Sequence, residues 1–199
     1  MGSSSDSDGV GGTSGARPAI RQISRVMGKT IVLRNVQPDD AQFILSLRLD
    51  ARKNRYLSAV DADTAKQRAW IEHYLASAGQ AYFIICDKAL VPLGTVRIYG
   101  AVGDSFSWGS WILKDGAPPA AAIESAVLVY RLATVCWGFR SAHFQVHRAN
   151  VSVLGFHVKF GARVVAETLD EIYLRIEGAQ IEQSLKRYAK YLPTQLFVK

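Results

Sequence analysis

Three consecutive segments with the alternating pattern of β-strands place the strongest constraint on the fold of this chain. Each is short, and a polar or glycine-containing turn separates it from the next. The segments are Ala81–Cys86, Gly94–Tyr99 and Phe106–Leu113. Antiparallel neighbours need only a short connection, whereas parallel neighbours need a crossover of about a dozen residues or more. The three segments therefore predict an antiparallel meander.

The connection after the meander has the opposite character. Asp115-Gly-Ala-Pro-Pro119 breaks the strand pattern, a long apolar helix is predicted over Ala120–Trp137, and a strand follows at Ala142–Val146. A strand–helix–strand unit returns the chain as a parallel neighbour. The other predicted elements are a strand at Thr30–Val36, helices from Pro38 and from Asp63 or Thr64, a helix at Asn150–Phe160, strands at Val164–Val165 and Glu171–Ile176, and a helix at Ile181–Tyr191. The fold class is therefore α/β, with a mixed sheet and helices on both faces.

The first 28 residues differ in composition from the rest of the chain. They are rich in Gly, Ser and Asp and have few large apolar residues, so burial cannot offset the entropy of ordering them. We predict a disordered tail over residues 1–28 and a single domain over 29–199.

The N-terminus has no apolar signal segment, and no apolar run approaches the ~20 residues that span a bilayer. We therefore expect a cytoplasmic protein without membrane insertion.

The net charge of +7 leaves several partner classes open. The basic residues are scattered and never form a run of five, which argues against a nucleic-acid partner and is compatible with a polyphosphate ligand.

Cys86 and Cys136 lie in apolar stretches, where a small buried hydrophobic residue is expected more often than a disulfide or a nucleophile. A homodimer is an open option.

The segment from Asn150 to Ala162 resembles the most specific motif of the GNAT superfamily of acetyl-CoA-dependent N-acyltransferases. It reads Asn-Val-Ser-Val-Leu-Gly-Phe-His-Val-Lys-Phe-Gly-Ala, which is an Asn, a short amphipathic helix with an aromatic residue, then Gly and an apolar residue. The order of elements over about residues 30–176 is also similar to the GNAT fold. The resemblance implies acetyl-CoA as co-substrate without a metal, and Asn150 as a contact to the pantetheine arm. It implies that His157 is catalytic, at the position of the tyrosine that typically protonates the leaving CoA thiolate.

The segment from Trp108 to Ala122 resembles a second part of that family, a bulged strand followed by the loop that holds the CoA pyrophosphate. Amides at a helix N-terminus favour an anion. The residues that the resemblance assigns to CoA are Trp111, Ile112, Leu113, Gly116, Ala117, Ala120, Ala121 and Ala122. The chain departs from the family pattern because an Arg or Gln is missing and because Pro118 and Pro119 each lack an amide donor.

The segment Asn54-Arg-Tyr-Leu-Ser58, followed by a helix with Trp70, resembles a narrower branch that acetylates amino sugars for surface polysaccharides and flagellin glycans. The acceptor in this branch is often a nucleotide-linked sugar. An Arg suits a phosphate and a Tyr can stack on a base or sugar, although a solvated loop with a packing tyrosine fits equally well. The residues predicted to bind the small-molecule amine acceptor are Arg55, Tyr56, Trp108 and His147. The alternatives are an acetyltransferase for a peptide or ribosomal-protein N-terminus, and a non-catalytic GNAT-like binding domain.

The other polar candidates give weaker indications. His143, Gln145 and His147 alternate along one strand, and at ~3.3 Å per residue the two histidines lie about 13 Å apart, too far to share a metal ion. They are predicted to line an open cleft, and one of them could act as a base. The sequence identifies no general base among its carboxylates, and His157 could also be a helix histidine satisfied by a neighbour.

Overall fold

A nine-stranded mixed sheet is the central feature of the computed structural model, which describes residues 17–52, 55–56 and 60–199. The strands are β1 (Arg25–Met27), β2 (Ile31–Asn35), β3 (Ala81–Asp87), β4 (Pro92–Val102), β5 (Ser105–Leu113), β6 (Ser141–His147), β7 (Arg163–Glu167), β8 (Glu171–Glu177) and β9 (Phe197–Val198). The helices are α1 (Ala41–Arg48), α2 (Thr64–Leu75), α3 (Pro119–Arg131), α4 (Val151–Lys159) and α5 (Gly178–Arg187). Short 3-10 turns at Pro38–Asp40 and Ala189–Tyr191 and a π-helical turn at Leu132–Cys136 extend three of the helices.

The strand order is β7-β8-β6-β5-β4-β3-β2-β1-β9. The pairs from β2 to β5 are antiparallel, as the short turns predict, and β5 pairs with β6 in parallel after the α3 crossover. The predicted fold class is therefore confirmed. Two helix starts are fixed by side chains: Asp63 accepts hydrogen bonds from the amides of Ala65 and Lys66, and Asn150 accepts one from Val153.

Each face of the sheet carries its own hydrophobic core. Helices α1 and α2 pack on one face, where Ile44, Ile71 and Tyr82 are buried. Helices α3, α4 and α5 cover the other face. The segment Pro119–Cys136 is long and apolar enough to cross a membrane by length and composition alone, but 56% of it is buried inside this domain. It serves here as the central core helix.

The structured part of the chain begins before the predicted boundary at residue 28. Residues 1–16 lie outside the described residues. Residues 17–28 are described, and β1 forms within them, between β2 and β9. Val26 is fully buried and Ile20 is 5% exposed, so two apolar side chains suffice to anchor a segment whose composition predicts disorder. A second difference concerns Cys136, which is exposed and not buried, whereas Cys86 is buried; both are free thiols.

The pairing between β5 and β6 is short. Their register contains only the pairs Ser105–Ser141 and Phe106–Ala142. Beyond these pairs β5 continues along β4, and β6 continues along β8. The two parallel strands therefore separate toward their carboxyl ends, the side of an open α/β sheet at which ligands commonly bind.

Candidate active site

A cavity of about 260 Å³, called the central cleft below, lies where β5 and β6 separate. Its walls come from β5, β6 and α4, with contributions from α1 and the loop after it. The lining residues are Arg48, Tyr56, Tyr99, Ser107, Trp108, Gly109, Ser110, Trp111, Phe144, Gln145, Val146, His147, Asn150, Val153 and His157. The sequence-predicted residues Trp108, Trp111, His147, Asn150 and His157 are thus brought together in one cavity.

A β-bulge shapes the β5 wall of the cleft. Thr95 pairs with Ile112 and Arg97 pairs with Gly109, so β5 carries one residue more than β4 between these pairs. Ser110 at the bulge has a φ of +46°, and its carbonyl accepts a hydrogen bond from the Thr95 hydroxyl at 2.7 Å. An extra residue reverses the facing of the side chains that follow. The bulge implied by the family resemblance is therefore present.

The bulge places Trp108 and Trp111 on the same face although their positions are an odd number of residues, three, apart. Their ring centroids lie 5.3 Å apart. The Trp111 indole nitrogen donates to the Ser125 hydroxyl at 3.1 Å, and its ring packs 4.7 Å from Phe156. Trp108 is 4% exposed. Both tryptophans thus form a rigid wall between β5, α3 and α4, and Trp108 contributes more to the core than to an open contact surface.

His157 lies deep in the cleft and is 4% exposed. Its ring stacks on Phe144 at 3.9 Å and meets the edge of Trp108 at 5.4 Å. Burial lowers the pKa of His157 to about 4, and its Nδ1 has no hydrogen-bond partner among the described residues. The ring is therefore neutral near pH 7, and one of its nitrogens carries a proton that it can donate in a hydrogen bond.

Asn150 occupies the first position of the α4 wall. Its Oδ1 accepts the amide hydrogen of Val153 at 3.3 Å, which caps the helix. The side chain also lines the cleft. Because the carbonyl oxygen is used by the cap, the amide NH₂ is the group that remains to contact a ligand.

The loop between β5 and α3 has the features of a small anion site. Ile112 and Leu113 end β5, and the loop that follows contains Gly116, which has a φ of +76° and open space around its Cα. The amides of Gly116 and Ala120 make no hydrogen bond within the described part of the chain. The amides of Ala117 and Ala121 are already used, by the carbonyls of Lys114 and Pro118.

The residues present therefore fit a pyrophosphate through two amides and the N-terminus of α3. The methyl group of Ala121 is buried in the core, and the carbonyl of Ala122 accepts the Ser125 hydroxyl. Pro118 and Pro119 remove two donors that a typical loop of this kind would supply. The loop is tied to the end of α1 by an ion pair of 2.6 Å between Asp115 and Arg52.

A second cavity, called the polar cavity below, has a volume of about 540 Å³ and adjoins the central cleft. Both are lined by Tyr56, Tyr99, Ser107, Gln145 and His147. Arg55, Gly100, His143 and Glu171 complete the polar cavity. The Tyr56 ring stacks on His147 at 5.2 Å. The predicted polar lining by the alternating residues of β6 is therefore confirmed, whereas Asn54, Leu57 and Ser58 of the loop motif lie outside the described residues.

Both histidines in this cavity have a polar contact at Nδ1. His147 Nδ1 accepts the amide hydrogen of Ala149 at 3.1 Å, so this nitrogen carries no proton. His143 Nδ1 lies 2.8 Å from the Ser105 hydroxyl, and burial, with a smaller contribution from Arg175, lowers the pKa of His143. Glu171 is the one carboxylate that lines either cavity within the described ranges.

Sequence reasoning did not single out Glu171, because its proximity to His147 arises from the register of β6 against β8. The three acidic residues closest to the site in sequence have structural partners instead. Glu124 is fully buried and accepts hydrogen bonds from Thr30 and Ile31. Asp115 pairs with Arg52. Asp104 is held in its turn through its main-chain carbonyl, which accepts the amides of Arg140 and Ser141. No cluster of three potential metal ligands occurs among the residues that the structure describes.

Comparisons with known proteins identify similar folds. A family model described as an acetyltransferase (GNAT) domain matches residues 30–163. No curated protein sequence matches the chain. Among solved structures, apo FdhC, described as a nucleotide-linked sugar GNAT, has a TM-score of 0.75 and 35% sequence identity, covering 85% of this chain and 98% of its own.

Two more distant structures share the fold at lower identity. A GCN5-related N-acetyltransferase from Brucella melitensis has a TM-score of 0.74 and 16% identity, with 90% of both chains covered. A chimera of the spermidine N-acetyltransferase SpeG from Vibrio cholerae and hSSAT has a TM-score of 0.66 and 11% identity, covering 77% of this chain and 99% of its own. At these identities the similarity shows the fold alone, and the fold does not identify the acceptor amine.

Proposed function

Because the chain belongs to the GNAT acetyltransferase family, we propose that it transfers the acetyl group of acetyl-CoA to the primary amine of a nucleotide-linked amino sugar. The observation that carries this proposal is the junction of two unlike cavities. The walls of the central cleft include the aromatic rings of Trp108, Trp111 and Phe144, whereas the polar cavity is larger and is lined mainly by hydrogen-bonding groups. A thioester arm suits the first cavity, and a hydroxyl-rich sugar suits the second.

The groups around the junction suit acetyl transfer by direct attack. The amine nitrogen forms a bond to the thioester carbonyl carbon, the carbon–sulfur bond breaks, the amine loses a proton and the thiolate gains one. Glu171 attracts a protonated amine and can accept its proton, directly or through water. His147 cannot accept a proton at Nδ1 while the Ala149 amide occupies it. Orientation of the two substrates supplies much of the acceleration.

His157 acts in this proposal as a neutral hydrogen-bond donor toward the leaving sulfur. With a pKa of about 4, the imidazolium form is rare near pH 7, so His157 is not a strong acid at that pH. A neutral imidazole N–H in a dry aromatic pocket still stabilises developing negative charge, because hydrogen bonds to charged groups strengthen where water is excluded. The Asn150 NH₂ and the two amides at Gly116 and Ala120 are the proposed contacts to acetyl-CoA.

Two features support a sugar nucleotide over a peptide N-terminus as the acceptor. Arg55 lines the polar cavity, where a guanidinium suits a phosphate or a sugar oxygen. FdhC, at 35% identity over most of both chains, is described as a nucleotide-linked sugar GNAT. Neither feature identifies the sugar or the position of its amine.

The proposal is tested by thiol release from acetyl-CoA in the presence of three classes of acceptor. These are UDP- and dTDP-linked amino sugars, spermidine, and short peptides with free N-termini, and mass spectrometry identifies the acetylated product. We expect turnover with a nucleotide-linked sugar at a rate well above that with the same free sugar. Turnover with peptides alone would favour the N-terminal acetyltransferase. Binding of acetyl-CoA without transfer to any acceptor would favour a non-catalytic domain.

A further inference from the structure

Arg97 on β4 is a half-buried cation without an anionic partner in the described part of the chain. Its guanidinium donates two hydrogen bonds to the Gln80 Oε1, one of them from Nε at 2.9 Å. Gln80 is held in turn by the Ser77 hydroxyl at 2.8 Å. The guanidinium lies 5.1 Å from the centroid of Trp70 and 5.3 Å from that of Tyr99. Within the described ranges, no Asp or Glu forms an ion pair with it.

The positive charge of Arg97 is therefore not balanced by a carboxylate within the described residues. Burial lowers the pKa of Arg97, and the nearby cation of Arg48 lowers it further. A glutamine oxygen and two ring faces offset part of the cost of removing a charge from water, but they carry no countercharge. Arg97 is therefore oriented and partly dehydrated in a manner typical of an anion-binding residue.

Arg97 faces a third cavity, called the arginine cavity below, with a volume of about 290 Å³. Trp70 and Gln67 of α2 form one wall, and Arg48 and Ser110 form the boundary that this cavity shares with the central cleft. The two cavities are therefore neighbours on either side of Arg48 and Ser110. Helix α2 packs on the opposite face of the sheet from α3, whose N-terminus carries the proposed CoA loop.

We propose that the arginine cavity binds the phosphates of a nucleoside diphosphate, the nucleotide portion of the acceptor. The inference rests on the proposed function and extends it by assigning the anionic end of the substrate to residues outside the transfer site. Gln80 uses Nε and one Nη of the Arg97 guanidinium, and the N–H groups that remain can donate to phosphate oxygens. The part of the Trp70 side chain that stays exposed can contact the nucleobase. The amine then lies on the cleft side of Arg48 and Ser110, near the acetyl group.

The test is a calorimetric titration of the full chain with UDP, dTDP and inorganic pyrophosphate, without acetyl-CoA. We expect Arg97→Gln to weaken UDP binding by about 10- to 100-fold, because the variant loses charge-assisted hydrogen bonds to the phosphates. Arg97→Lys keeps the charge and loses the fork, so it should give an intermediate affinity. Arg187→Gln is the matched control, because Arg187 lies on α5 across the sheet, where it is exposed and donates a hydrogen bond to the Lys159 carbonyl. It should bind UDP as the unmodified chain does.

Two controls keep the outcomes distinct. Thermal unfolding without ligand reports whether each variant is folded. If Arg97→Gln does not fold, the UDP affinity of Arg97→Lys is compared with that of the unmodified chain instead. A folded Arg97 variant with unchanged UDP affinity, or no UDP binding by the unmodified chain at millimolar concentration, would overturn the assignment. An equal loss of acetyl-CoA affinity would also overturn it, because Arg97 would then serve the phosphates of CoA. None of these results decides whether acetyl transfer occurs, which the thiol-release assay measures separately.

Discussion

At the scale of single residues, burial determines what the histidines of the cleft can do. His157 takes the place of a tyrosine in the family motif, and the sequence suggests a group that titrates near neutral pH. The stacked Phe144 ring and the adjacent Trp108 remove it from water instead. A neutral ring with one N–H resembles a tyrosine hydroxyl in function more than it resembles an imidazolium, since both donate a hydrogen bond without carrying charge.

Replacing His157 with Phe should change how stability depends on pH. The unfolded imidazole protonates near pH 6.5 and the folded one only near pH 4, so acid favours the unfolded state. The free energy of unfolding should fall as the pH drops from about 6.5 to 4, by roughly 3 kcal/mol in total. His157→Phe should lack this part of the loss, as measured by urea unfolding at several pH values.

His143 has a lowered pKa as well and contributes an acid-dependent loss to both proteins, so the difference between the two curves isolates His157. Parallel curves would show that the ring is not dehydrated. The same variant should reduce kcat while leaving the Kd for acetyl-CoA nearly unchanged, because the ring is proposed to act on the leaving group.

Asn150 has a structural role as the cap of α4 and a proposed role in cofactor binding, and two variants can separate the two roles. Asn150→Ala removes the cap of α4 and should lower stability by about 1 kcal/mol, and it should also weaken acetyl-CoA binding. Asn150→Asp keeps an oxygen for the Val153 amide but loses the NH₂ group. We expect it to restore the unfolding midpoint and still bind acetyl-CoA weakly, in thermal unfolding and calorimetry respectively. Full affinity in Asn150→Asp would remove the side-chain amide from the cofactor site.

At the scale of elements, a buried carboxylate joins the central helix to the turn between β1 and β2. Glu124 on α3 accepts hydrogen bonds from the Thr30 amide at 2.8 Å, the Thr30 hydroxyl at 2.5 Å and the Ile31 amide at 3.2 Å. Gly28 lies against it, because a Cβ there would approach the Glu124 Oε1 to 2.4 Å. The turn between β1 and β2 is thus built around this side chain.

Glu124→Gln should therefore destabilise the domain without altering the cleft directly. The new NH₂ group would face backbone donors and leave part of this bonding unmade, at a cost of about 1–3 kcal/mol. Glu182→Gln is the matched control, since Glu182 is exposed on α5 and pairs only with Lys186. Thermal unfolding of both variants compares the two costs. A midpoint for Glu124→Gln as high as that of the control would show that the buried carboxylate contributes little.

The sequence predicts the elements with strong periodicity and misses those that depend on distant partners. The meander strands lie within a few residues of their predicted bounds, and so does α3 when the π-helical turn that extends it to Cys136 is included, because each buries a regular set of apolar side chains. Strands β1 and β9 are short; β9 is exposed and pairs with β1, and β1 also pairs with β2 and carries the buried Val26. Their residues are distant in the chain, so local pattern gives no signal for them.

In the candidate site, too, the sequence predicts residues that belong to local motifs and misses residues that depend on distant parts of the chain. Trp108, Trp111, Asn150 and His157 could be assigned from motifs because the motif fixes their local geometry. Arg97 could not, since an arginine in an alternating strand suggests a solvent-facing position. Its burial depends on Trp70 of α2, which comes from a separate part of the chain. The lowered pKa of His157 likewise depends on a strand and a helix meeting in the folded protein.

At the scale of the whole molecule, the separation of β5 from β6 is the feature on which the functional account depends. Two parallel strands that pair over only two residues leave a gap inside a sheet of nine strands. The gap connects the proposed CoA loop on one side with the polar cavity and the arginine cavity on the other. Acetyl-CoA and its acceptor can therefore approach the same point from opposite sides of the sheet.

The most direct test of this account is thermal unfolding with saturating acetyl-CoA, with free CoA as the comparison. A ligand at about 100 times its Kd adds ~2.7 kcal/mol to the free energy of unfolding, which shifts the midpoint by several degrees. We predict a clear rise with both ligands, because the amides of Gly116 and Ala120 and the N-terminus of α3 remain available despite the two prolines. An unchanged midpoint at millimolar acetyl-CoA would contradict the central claim that the cleft binds the acyl donor.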